Sequence, residues 1–169
     1  FELETAVIPD EKLKGPLRFV IHGVRMICTL AIVMAFLGYF GEWRTLAPSE
    51  LLSGQACERV GEEWSVMIKL DDFVPLTAEN CAQLGADTRH VTGLEQVMAS
   101  PAGLLEGQRL ALVDVVNAAT WILVVILLEI EVRVLTRWGG ASRPLARMAN
   151  ALKVLCYTTL VLAAVYWGF

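Results

Sequence analysis

The chain is poor in the groups that carry out chemistry. It has two histidines, His22 and His90, and no Gly-x-Ser-x-Gly, His-Glu-x-x-His, Cys-x-x-Cys or phosphate-binding glycine loop. Recognisable serine-hydrolase, zinc-protease, dithiol-redox and P-loop chemistries therefore have no footing here. Acid–base catalysis would have to rest on carboxylates alone. No internal repeat of the transporter kind is present. A polar stripe is also missing from the most apolar stretch: Leu110–Leu128 is interrupted only by Asp114, Asn117 and Thr120. Helices of a soluble bundle keep a solvated face, so this pattern argues against one.

What the chain does have is apolar length. Apolar residues make up 56% of it and the mean hydropathy is +0.55, whereas ordinary soluble domains hold ~45–50% apolar residues. Three apolar stretches stand out: Leu17–Phe40, Leu110–Val134 and Ala151–Phe169. Each is close to the ~20 residues with which a helix crosses ~30 Å of hydrocarbon. The expected fold is an all-α integral membrane protein with three transmembrane helices, 17–40, 110–134 and 151–169. A small, mainly helical extracytoplasmic subdomain fills 41–109, a cytoplasmic segment 1–16 precedes the first span, and a basic cytoplasmic connection 135–150 joins the last two. The first and third spans are short once Arg25 and Lys153 are set aside, so both side chains must snorkel toward headgroups. Trp43 and Trp167 read as interfacial anchors. Phe1 is not an initiator methionine, so either upstream residues are missing or a longer segment has been cleaved.

Charge sets the orientation. Nine of the fourteen Lys and Arg residues fall in the N-terminal segment, the second connection or the span ends that adjoin them, among them Lys12, Lys14, Arg18, Arg133, Arg137, Arg143 and Arg147. The segment 41–109 carries five basic against eleven acidic side chains, a net charge of −6. The positive-inside bias puts the N-terminus in the cytoplasm and the acidic segment and C-terminus outside, most simply in a bacterial inner membrane. The basic face should attract anionic lipid; nucleic acid is not an expected partner.

The segment 41–109 is too long for a simple connection. Pro48-Ser49 before Glu50-Leu51-Leu52 reads as a helix start, and Trp64–Leu70 alternates like a short strand. Thr77 before Ala78-Glu79-Asn80 reads as a capped helix ending near Gly85. Ser100-Pro101 reads as a helix start that runs into the second span. Cys57 and Cys81 lie in this segment, and an oxidising compartment would join them in a disulfide. Cys28 and Cys156 lie in spans and are read as packing residues.

Charged groups within spans are the candidate sites. The first two spans run antiparallel, which puts Arg25 at the depth of Glu129 and Glu131 and predicts an ion pair. Asp114 and Asn117, one turn apart, suggest a polar contact with a helix or a partner, as do the small residues Ala31, Ala35 and Gly38. Ala163, Ala164 and Gly168 read the same way. His22 is the weak candidate ligand for a tetrapyrrole, a group that otherwise is not expected; no catalytic residue and no metal site is expected, and the acids Glu62, Glu63, Asp71 and Asp72 read as a solvated surface rather than a calcium site. The function that remains is a small non-catalytic accessory or assembly subunit of a larger membrane complex, with other integral membrane proteins and lipids as partners. The alternatives are a transport or channel component using Asp114 and Glu129, a cofactor-carrying electron-transfer subunit, and an extracytoplasmic ligand sensor.

Overall fold

A computed structural model describes residues 16–131 and 143–168. The N-terminal segment and most of the basic connection, with Lys12, Lys14, Arg133 and Arg137, lie outside the described residues. Three long helices dominate: α1 (Pro16–Leu46), α3 (Pro101–Ile130) and α4 (Arg143–Gly168). All three are long and apolar enough to cross a membrane. Four of their threonine hydroxyls are satisfied locally: Thr29, Thr120, Thr158 and Thr159 each donate to the carbonyl four residues earlier, at 2.7–3.0 Å. That pairing lets a polar side chain lie in an apolar helix without an exposed donor.

The segment between α1 and α3 is not mainly helical, which corrects the expectation. It holds a five-stranded sheet in the order β1-β4-β5-β2-β3, built from β1 (Ser49–Leu51), β2 (Ser65–Lys69), β3 (Asp72–Pro75), β4 (Arg89–Val91) and β5 (Val97–Ala99). Neighbouring strands are antiparallel except β2 and β5, which run parallel. Its helical parts are one 3-10 turn, Ala56–Arg59, and one turn of helix, α2 (Ala78–Cys81).

The expected helix at Ser49 is strand β1. Its residues pair with Arg89–Val91, and Gly54 at φ +93° then turns the chain away. A long-range partner wins over a weak local helix signal. Thr77 does cap α2: its hydroxyl accepts from the Asn80 backbone N–H, and the Asn80 side chain accepts from the Thr77 N–H. The helix stops at Cys81, short of Gly85. Ser100 Oγ accepts from the Gly103 N–H at the start of α3.

The chain divides into two compact units, Gly38–Val115 and the segments flanking it. In Gly38–Val115 the sheet separates two apolar clusters. Met67, Val91, Val97 and Ala99 project to one side, against Leu46 of α1 and Leu104 and Ala111 of α3. Val66 and Met98 project to the other, against Trp64, Ala56, Leu76 and Cys81. The alternation Val97, Met98, Ala99 across the two clusters is the period of a strand buried on both faces. Two glycines permit the close fit. A Cβ on Gly93 would stand 2.1 Å from the Thr45 carbonyl oxygen, and one on Gly107 would stand 3.2 Å from the Met67 methyl.

Candidate functional site

In the unit made of the flanking segments, charged side chains join the three helices. Arg25 on α1 meets Glu129 on α3, Nη2 to Oε1 at 2.5 Å, with side chains 17% and 26% exposed. Glu131 does not join that pair. It binds Lys153 of α4, Nζ to Oε2 at 2.7 Å. Helical geometry explains the division: positions two apart lie ~200° apart around the axis, so Glu129 and Glu131 face different neighbours. Lys153, expected from sequence only to snorkel, is an ion-pair partner. The two pairs tie α1 to α3 and α3 to α4 near the last turn of α3.

In the unit Gly38–Val115, Asp114 is buried, 8% exposed. It lies near Glu42 of α1, whose carboxyl is hydrogen-bonded to that of Asp71 in the turn between β2 and β3. Three acids from three elements thus gather where the sheet meets the helices. No linear signal marks Glu42 and Asp71, because only the fold brings them to Asp114. Among the described residues, no group of three or more His, Cys, Asp and Glu side chains is arranged to hold a metal ion. The acids Glu62, Glu63, Asp71 and Asp72 do not converge: Glu62 accepts from the Trp64 indole N–H at 2.9 Å and pairs with Arg59 at 3.7 Å, whereas Asp71 is held by Glu42.

Trp64 centres a second cluster that sequence reading did not assemble. The Arg59 guanidinium lies 4.9 Å from its ring, and the His90 ring meets it edge-on with centroids 5.2 Å apart. The 3-10 turn that carries Arg59 also carries Cys57, which is bonded to Cys81 of α2 with Cα atoms 5.0 Å apart. The disulfide therefore holds the cationic lid of the Trp64 stack in place. Cys28 and Cys156 are free thiols, the first exposed and the second buried. His22, Ala31, Ala35 and Gly38 are exposed along α1, and Asn117 on α3 is half-buried.

No protein-family model, curated protein or solved structure matches the chain. The geometry alone therefore carries the functional reading. It offers apolar helices tied by ion pairs and a disulfide-stapled sheet.

Proposed function

We propose that the protein is a small non-catalytic accessory or assembly subunit of a larger complex in a bacterial inner membrane. Its N-terminus and basic connection face the cytoplasm and its acidic sheet unit faces outward. The observation that carries this reading is the state of α1. None of its most apolar eighteen-residue stretch is buried, and Ala31 and Ala35 lie exposed within it. A Cβ added to Gly38 would meet nothing within 4 Å among the described residues. Small residues matter where helix backbones approach closely. Here that smallness is not used in packing among the described residues, which supports a helix of another integral membrane protein as the neighbour of this face. Anionic lipids accompany it on the basic side, where Arg147 is exposed at the start of α4.

The test is purification from the native membrane in mild detergent, with mass spectrometry of what comes along, for the wild type and for Ala31→Leu/Ala35→Leu. A stoichiometric membrane-protein partner with the wild type, lost with the variant at equal protein yield, is the expected result. A lone monomer for both overturns the reading. The charge-based orientation is checked separately: a membrane-impermeant reagent applied from outside should reach Glu79→Cys but not Arg147→Cys.

A further inference from the structure

The hairpin of β2 and β3 is placed by contacts that give its height along the helices. Gly103 of α3 faces the Met67 and Ile68 carbonyls, and Gly107, one turn on, faces the Met67 methyl and the Leu70 backbone nitrogen. Strand β2 therefore runs in the same direction as the first turns of α3, with its turn following Leu70 beside Gly107. Asp71 in that turn reaches Glu42, two residues beyond the end of the first apolar stretch at Phe40. Gly107 is likewise three residues before Leu110, where the second stretch begins, a rise of about 4.5 Å. The headgroup layer on each side of a bilayer is roughly 5–7 Å deep. With the hydrocarbon edge taken at Phe40 and Leu110, the turn falls inside that layer.

The side chains at this height fit it. Phe73, opposite Met67 on the helix-facing side of an edge strand, is 42% exposed, and Ile68, at a bulge in β2, is 45% exposed. Lys69 and Asp72 pair across the end of the hairpin and are exposed beside them. An apolar ring and an aliphatic group flanking a charged turn suit a layer that is apolar below and polar above. Leu105 and Leu112 are also exposed, one heptad apart on α3, and carry apolar surface up from the span to the same level.

We propose that the β2–β3 hairpin is a membrane-surface anchor, with Phe73 and Ile68 seated among lipid headgroups. The proposal rests on α1 and α3 crossing the bilayer. It adds that the sheet unit is fixed against the lipid rather than standing clear of it.

Spin labels placed one at a time in the full chain test it. Cysteines are introduced at Phe73, Ile68, Leu30 and Glu79 in a Cys28→Ser/Cys156→Ala background, with the Cys57–Cys81 bond kept oxidised. The protein is reconstituted in phosphatidylethanolamine–phosphatidylglycerol vesicles. Collision with oxygen, which favours lipid, is compared with collision with a water-soluble nickel chelate. The label at Leu30 should be dominated by oxygen and that at Glu79 by nickel. Labels at Phe73 and Ile68 should fall between them, with an oxygen-to-nickel ratio several-fold above that at Glu79. Ratios equal to that at Glu79, with Leu30 in lipid, overturn the anchor and leave the membrane reading standing. Low collision with both agents at Phe73 and Ile68 means a protein covers them, which overturns the anchor as well. A nickel-dominated label at Leu30 overturns the membrane reading and the anchor together.

Discussion

Reduction of Cys57–Cys81 should destabilise the sheet unit far more than any single contact in it. The two residues are 24 apart in sequence. In the chain-entropy relation a closed loop of about 25 residues is worth about 3.5 kcal/mol at 25 °C. For a unit the size of Gly38–Val115, each kcal/mol moves the melting temperature by about 4–8 °C, so the expected fall is about 15–25 °C. The comparison is oxidised against reduced wild type in the same detergent. A serine variant would confound it, because Cys81 is buried at 4% exposure against Trp64 and Leu76 and its replacement also changes packing. Near-ultraviolet circular dichroism follows the packed aromatic rings, Trp64 among them, and far-ultraviolet circular dichroism follows the long helices. The near-ultraviolet transition should move while the helical signal holds. A fall of less than about 5 °C would refute the loop-entropy reasoning, since it is below what the relation allows for a loop of this length.

Two substitutions test the packing. Arg25→Ala removes the cation that Glu129 meets inside an apolar helix pair, and it should cost a few kcal/mol. Thermal melting in detergent should show a clear loss, partly recovered in Arg25→Ala/Glu129→Gln; equal stability of wild type and Arg25→Ala would mean that the pair contributes little. Gly93→Ala drives a methyl group into the Thr45 backbone, where neither side is a flexible chain end. It should lower stability by about 1–3 kcal/mol, whereas Gly61→Ala, at an open position, tests only the positive φ.

The three long apolar helices were legible because hydropathy is a property of the chain itself, summed over a window. The disulfide was legible because the segment holds two cysteines, Cys57 and Cys81, and the charge pattern pointed to an oxidising side. The caps at Thr77 and Ser100 were legible because capping is local chemistry. The sheet was not, apart from β2. Strands β1, β4 and β5 are three residues each, too short for alternation to register. What makes them strands is pairing across a long stretch of chain, as Ser49 pairs with Val91. The charged sites divide the same way. Matching depths on antiparallel helices brings Arg25 to Glu129, but which way Glu131 turns depends on the winding of the helix end. The meeting of Glu42, Asp71 and Asp114 depends on where a hairpin lands, and nothing near those residues in the sequence marks it.

The parallel pairing of β2 with β5 has a consequence for how the protein is made. β5 is the last strand to leave the ribosome, yet it lies between β4 and β2. Until residue 99 emerges, the β2–β3 hairpin and the β1–β4 pair have no strand to join them, and each presents a bare edge. The sheet is therefore completed only when β5 arrives. A chain halted before β5 would offer unpaired strands to proteases and to aggregation, and α3, which begins two residues after β5 ends, would arrive with the strand that closes the sheet.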